Sequence, residues 1–116
     1  MAFKFENLRV WELVINLSAE VSGLVKTFPA EERFVLSSQI QRAADSVALN
    51  IAEGSTGQSN AEFKKFLGYS IRSGIEVVSC LYLGKKRNII NEDDISRLYA
   101  AYEGLVIKIQ ALRNSF

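Results

Sequence analysis

Five polar residues recur at intervals of three or four along one stretch of the chain, and their types are those that bind ligands. They are Gln39, Arg42, Ser46, Asn50 and Glu53. In a helix with about 100° per residue they form one line beside an apolar face, and we call them the polar stripe. A guanidinium, a carboxylate, two amides and a hydroxyl so placed indicate either a hydrogen-bonded network between helices or a ligand pocket.

The polar stripe needs partners if it is partly buried. We expect them on the flank of the next helix along the chain, at Glu62, Tyr69, Ser73 and Glu76. If the two helices are antiparallel, Arg42 lies near the level of Glu76. A partly buried arginine requires a carboxylate to offset its desolvation, so we expect an Arg42–Glu76 ion pair. The network is the favoured interpretation, and the pocket remains the alternative.

The residue types argue against catalysis and against metal binding. The chain has no histidine, the commonest general base and a common metal ligand. Serines 46, 70 and 73 therefore have no histidine to activate them. The carboxylates of Glu53, Glu62 and Glu76 have no spacing typical of a metal site. The sequence predicts a protein that is not an enzyme, with no cofactor and no metal.

A basic cluster is the other candidate site. It contains six of the 14 basic residues: Lys64, Lys65, Arg72, Lys85, Lys86 and Arg87. One interpretation is a solvated helix face whose last residues complement the helix dipole. The other is a surface that binds the phosphate backbone of RNA or DNA, which becomes effective when an oligomer repeats it.

Helical periodicity positions both sets of residues. Four segments have apolar residues at intervals of three and four, and the chain contains a single proline. Short turns between them predict an all-α, antiparallel up-down-up-down four-helix bundle that forms one domain over residues 1–116.

Capping residues and breaks predict the helix ends. We expect the first helix at 7–27, with Asn7 as its cap and Pro29 just after its end. The second should open at Ala30-Glu31-Glu32 and stop at Gly54 in a left-handed conformation. Ser59 or Asn60 should cap the third helix, which continues to about Arg87, and Asn91 should cap the fourth.

Composition bounds the class of protein. The 116 residues are 48% hydrophobic and carry a net charge of +1, typical of a globular chain whose overall charge does not indicate nucleic-acid binding. No apolar run reaches about 18 residues, so no membrane span is predicted. The first residues lack a signal-peptide pattern, so we expect a cytoplasmic protein. Cys80, the single cysteine, lies in an apolar helix and is expected to be a buried thiol.

Two apolar surfaces exceed what one bundle core needs. The first predicted helix has a wide apolar arc, and the second has an additional arc at Ala48, Leu49 and Ala52. Such surface usually marks an interface, so we expect a homo-oligomer.

Several motifs together resemble a known family. They are RAADSVALNIAEGS at 42–55, AEFKKFL at 61–67 and SGIE at 73–76, with LRVW and TFPAEE before them. They resemble the four-helix-bundle family of the 23S rRNA-intervening sequence protein, to which the accessory variability determinant of diversity-generating retroelements is also similar. The resemblance implies a small helical bundle that often forms pentamers, and the retroelement members imply an association with nucleic acid and a reverse transcriptase. Arg72 stands where the family commonly has glycine, which adds positive charge.

These observations lead to two functional hypotheses. The first is a non-enzymatic, ring-forming helical module, a homopentamer by the resemblance, that binds RNA or DNA or serves as a nucleoprotein accessory. The alternative is a protein-only interaction scaffold with a protein partner.

Overall fold

The fold is built from four long helices. In the computed structural model, which describes residues 2–57 and 59–116, the helices are α1 (Arg9–Val25), α2 (Leu36–Gly54), α3 (Asn60–Lys86) and α4 (Glu92–Asn114). Short 3-10 helices at Lys4–Asn7 and Ala30–Glu32 precede α1 and α2. Met1 and Gln58, which belong to the predicted domain 1–116, lie outside the described residues.

Adjacent helices run antiparallel. Gln39 of α2 bonds to Glu76 of α3, while Val47, further along α2, bonds to the earlier Ser70. In the same way, Gly74 of α3 faces Val106 of α4 and the earlier Gly68 faces Arg113. Contacts also join α1 to α2 and α1 to α4, so each helix packs against two neighbours. The predicted four-helix bundle is confirmed, and its dimensions are 43 × 22 × 21 Å.

The core lies along the common axis of the four helices. Its largest fully buried side chains include Phe63 and Leu67 of α3 and Tyr102 of α4. Large apolar residues of α1 also contribute to the core. Val14 and Val21 are buried, and Trp11 and Ile15 pack against the core. None of the large apolar residues in Arg9–Val25 is among the exposed ones. The apolar arc of α1 therefore lies against the bundle itself.

Two of the predicted caps are confirmed. The Ser59 side chain accepts a hydrogen bond from the backbone N–H of Glu62 at 3.0 Å, and the Asn91 side chain accepts one from Asp94 at 2.8 Å. The prediction for Asn7 is wrong. Asn7 ends the preceding 3-10 helix, and Leu8 occupies the cap position of α1 without a side-chain bond.

The start of α2 also differs from the prediction. Ala30–Glu32 forms a separate 3-10 helix, and Val35 has non-helical angles of φ −119° and ψ −101°. Glu32 still serves α2, because its carboxylate accepts a hydrogen bond from the Leu36 N–H at 3.3 Å. An acidic group at this position complements the positive end of the helix dipole.

Gly54 has a different role from the one predicted. It is the last residue of α2, and the positive φ of 90° in the following segment belongs to Gly57. Gly54 is instead buried against α3: a Cβ atom on it would lie 2.5 Å from Cβ of Phe66. Glycine is needed at this position because the two helices approach closely.

Across the described residues, the helices include none that is both long and apolar enough to cross a membrane.

Candidate nucleic-acid interface

Three of the predicted basic residues lie in a line on the solvent side of α3. Lys65, Arg72 and Lys86 are separated by seven and fourteen residues, and all three are exposed. Seven residues make almost two full helical turns, so Lys65 and Arg72 point within about 20° of each other, and Lys86 lies about 60° from Lys65 on the same side of the helix. At 1.5 Å per residue the line is about 31 Å long. We call these three residues the outer stripe.

The outer stripe has no carboxylate partner. Among the described residues, the ion pairs formed within 4.0 Å include none of its three side chains. Lys85 and Arg87 differ, because Lys85 pairs with Glu92 at 3.3 Å and Arg87 pairs with Glu32 at 3.0 Å. The structure thus divides the predicted basic cluster into an unpaired line and a paired helix end.

Lys64 is separate from both groups. Its side chain is half-buried, and its backbone carbonyl accepts a hydrogen bond from Nε of Arg113 at 3.0 Å. This bond ties the first turns of α3 to the end of α4. Lys64 therefore lies beside the α3–α4 boundary, away from the line of the outer stripe.

Three residues of the polar stripe join a network at the α2–α3 boundary. The Gln39 amide donates to the Glu76 carboxylate at 2.6 Å. The Ser73 hydroxyl donates to the Ser46 hydroxyl at 2.9 Å, and Asn50 donates to the same hydroxyl at 2.9 Å. The Gln39–Glu76 and Ser73–Ser46 bonds join α2 to α3, and the Asn50–Ser46 bond lies within α2.

The buried Ser70 adds a bond to this network that we did not predict. Its hydroxyl donates to the Val47 carbonyl at 2.9 Å, in full burial. Glu53 is exposed, and within the described part of the chain neither its carboxylate nor that of Glu62 joins a hydrogen bond or ion pair between helices. These two carboxylates do not extend the network.

The predicted Arg42–Glu76 ion pair is wrong. Arg42 is exposed, so its charge needs no partner to offset burial. Gln39 bonds to Glu76 instead, and no carboxylate of the described residues lies within 4.0 Å of the Arg42 guanidinium. Arg42 lines an open polar cleft of about 290 Å³ between α2 and α3, together with Gln39, Ala43, Ser46 and Glu76.

A second polar group lies between α1 and α2. The Ser18 hydroxyl donates to the Asp45 carboxylate at 2.6 Å, and the Gln41 amide donates to the same oxygen at 2.9 Å. The sequence predicted no role for Gln41 or Asp45. The sequence signal that could have indicated this pair was their spacing of four residues, which makes them neighbours on a helix surface.

Two buried groups have raised pKa values. Burial raises the pKa of the Cys80 thiol to about 11 from its ordinary 9.0, and the nearby Glu76 charge adds to this effect. Burial also raises the pKa of the Tyr102 hydroxyl, with smaller effects from Glu20 and Asp45. Both groups stay neutral at physiological pH. The predicted buried thiol is confirmed.

We expect the free energy of unfolding to fall as the pH rises from about 9 to about 11. Above pH 9 the exposed thiol of the unfolded chain loses its proton, while the buried Cys80 keeps its proton until about pH 11. Alkaline conditions therefore favour the unfolded state. Urea unfolding at pH 8 and pH 10.5 measures this loss. The Cys80→Ala variant should lose less stability than the wild type over the same interval, and an equal loss would contradict the assignment.

Metal binding has no cluster to support it within the described residues, where no three His, Cys, Asp or Glu side chains come together as a metal site.

Tyr69 is the residue whose exposure sequence reasoning missed. It was predicted only as a partner for the polar stripe, yet its side chain is 38% exposed. It lies four residues after Lys65 and three before Arg72, so all three are neighbours on the surface of α3. This spacing of a cation, an aromatic residue and a second cation is the sequence signal that could have identified Tyr69 as part of the same surface.

Comparison with known proteins gives a family for the chain. No curated protein matches the sequence. Residues 6–111 match the family described as the 23S rRNA-intervening sequence protein. The match covers nearly the whole chain and all of the bundle apart from the last residues of α4. This protein therefore belongs to the 23S rRNA-intervening sequence protein family.

Proposed function

We propose that this protein is a non-enzymatic, ring-forming module that binds the phosphate backbone of RNA or DNA and serves as a nucleoprotein accessory. The observation that carries the proposal is the outer stripe, in which three exposed cations lie in line without a carboxylate partner among the described residues. The family name refers to sequences that interrupt 23S rRNA, which supports a role connected with RNA.

The charge arrangement supports backbone binding. The chain has a net charge of only +1, and the exposed Glu76 lies four residues after Arg72 on the same side of α3, so the attraction for phosphate comes from three cations that outnumber one carboxylate there. Cations that neutralise phosphates release counterions, and this release favours binding at low salt. Contacts of this kind position a nucleic acid without reading its sequence.

The apolar surface supports assembly. A groove of about 330 Å³ between α3 and α4 is lined by Ile75, Tyr99, Val106 and Ile107, among others. A second set of exposed apolar residues lies on the α2 side, at Phe34, Val35 and Leu49. A head-to-tail ring requires two different surfaces on one subunit. Phe34 and Val35 lie just before α2 and Leu49 lies about 20 Å further along it, so either can supply the second surface. A homopentamer is the ring that the family resemblance implies.

These exposed apolar surfaces differ from the ones that the sequence predicted. Leu49 is exposed as predicted, but Ala48 is buried and Ala52 is half-buried. The groove between α3 and α4 is an apolar surface that the sequence analysis did not name, and its Ile75 and Ile107 are exposed. In a ring whose subunits meet at the α3–α4 groove, each subunit would present one outer stripe. The repeated weak contacts with phosphates would then act together.

The test is fluorescence anisotropy of the wild-type protein with labelled single-stranded RNA and DNA at 50 and 200 mM salt. Three phosphate contacts by one subunit predict a dissociation constant about 20-fold higher at the higher salt, with a larger factor when several subunits contact one strand. Sedimentation velocity on the same sample should show an oligomer. No binding at the lower salt would contradict the proposal.

The groove between α3 and α4 also favours a second candidate function. Ile107 and Ile75 are 64% and 54% exposed, so a protein partner would bury substantial apolar surface there. A monomer that binds no nucleic acid would favour this protein-only scaffold.

A further inference from the structure

The surroundings of Tyr69 differ from those of a simple charged surface. Its ring packs edge-on against Phe66, with centroids 5.6 Å apart and planes at 74°. Phe66 is itself held against Gly54 at the close approach of α2 and α3. The tyrosine ring is thus supported on one side and open to solvent on the other.

Cations surround the open side of this ring. Lys65 and Arg72 of the outer stripe flank Tyr69 along α3. Over the seven residues from Lys65 to Arg72, α3 advances about 10.5 Å. Phosphates of one strand in a duplex are about 3.4 Å apart along the axis, so this length matches about three nucleotides of a stacked strand.

The polar cleft continues the same surface towards α2. Ser73, one turn after Tyr69, bonds to Ser46 of the cleft. Arg42 lines the cleft, is exposed and has no carboxylate within 4.0 Å among the described residues. The carboxylate of Glu76 is the cleft's one acidic group, and it already accepts a hydrogen bond from Gln39. Arg42 and the Ser46 hydroxyl line this cleft together, so they are the groups to which a phosphate would bind there.

We propose that Tyr69 stacks one unpaired base of a single-stranded nucleic acid whose backbone passes from the outer stripe to the Arg42 cleft. This inference rests on the proposed function and specifies its ligand. Aromatic stacking beside a basic path is how proteins bind single strands with little sequence preference, because every base has a π-face. A duplex keeps its bases stacked within the helix, so Tyr69 selects single strands over duplexes.

The test compares three variants by anisotropy with one labelled single-stranded RNA and with the matching duplex. Tyr69→Leu removes the aromatic ring and should weaken single-strand binding by about 5- to 100-fold. Its salt dependence should stay at the wild-type slope, because no cation is changed. Tyr69→Phe keeps the ring and should retain most of the affinity.

Tyr82→Leu is the matched control. Tyr82 is on the same helix and is more exposed, at 62%, but it faces Tyr99 across the α3–α4 boundary. Because Tyr99 lines the α3–α4 groove, sedimentation first checks that the Tyr82→Leu oligomer matches the wild type, and its single-strand affinity should then be unchanged.

The outcomes separate this inference from the proposed function. Wild-type binding at low salt with Tyr69→Leu equal to wild type would overturn the stacking role and leave the backbone interface intact. Equal affinity for the duplex and the single strand would also overturn the stacking role of Tyr69 and leave the backbone interface intact. A Tyr69→Leu variant whose sedimentation shows loss of the oligomer would assign Tyr69 to a subunit interface and overturn the inference. No binding by the wild type would contradict the proposed function itself.

Discussion

The Gly54→Ala substitution is expected to destabilise the bundle by about 1–3 kcal/mol. The added Cβ would lie 2.5 Å from Cβ of Phe66 and 3.1 Å from Cδ1 of Phe63. The Cβ of Phe66 is fixed to the α3 backbone, so a side-chain rotation cannot relieve the clash. Either α2 and α3 must move apart or the end of α2 must unwind. Urea denaturation followed by circular dichroism measures the change.

Gly23→Ala is the control for this prediction. Gly23 lies within α1, and a Cβ atom there would have no neighbour within 4 Å. Alanine should therefore stabilise the protein by about 0.5–1 kcal/mol through its higher helix propensity. If Gly54→Ala were also stabilising, the close approach of α2 and α3 at this end of the bundle would be wrong.

The Lys65→Glu, Arg72→Glu double variant is expected to weaken binding of single-stranded RNA at least about tenfold at low salt. It removes two of the three cations of the outer stripe and adds two negative charges in their place. Both side chains are exposed and unpaired among the described residues, so the fold should be unaffected. Anisotropy gives the affinity, and sedimentation checks that assembly is unchanged.

The matched control is Arg9→Glu with Lys108→Glu. It has the same change in charge and also replaces one arginine and one lysine. These two residues are exposed and line a cleft between α1 and α4, on elements other than α3. Their replacement should reduce affinity much less than the α3 double variant. An equal reduction would mean that overall charge governs binding.

Local sequence signals predicted the helices because they depend on neighbouring residues. Ser59 and Asn91 cap their helices as expected, since a cap needs only its own side chain and a nearby N–H. The break before α2 was harder to predict. It depends on Glu32, which bonds to the Leu36 N–H and pairs with Arg87 at the distant end of α3.

The candidate site was predicted only in part, because contacts with distant parts of the chain decide which of its residues are paired. The basic residues of α3 were identified from the sequence, but their partners come from other elements. Glu92 and Glu32 pair with Lys85 and Arg87, which periodicity within α3 cannot indicate. Arg42 shows the same limit, because its exposure depends on how α2 is rotated against α3.

The most direct test of the backbone interface is the slope of the logarithm of the binding constant against the logarithm of the salt concentration. It is measured with single-stranded RNA for the wild type, the Lys65→Glu, Arg72→Glu variant and the Arg9→Glu, Lys108→Glu control. The three outer-stripe contacts of one subunit predict a slope of about −2.1 or steeper for the wild type and control, and a slope shallower by about 1.4 per contacting subunit for the α3 variant. The same slope for all three proteins, or no binding by the wild type at low salt, would contradict an interface on the outer face of α3.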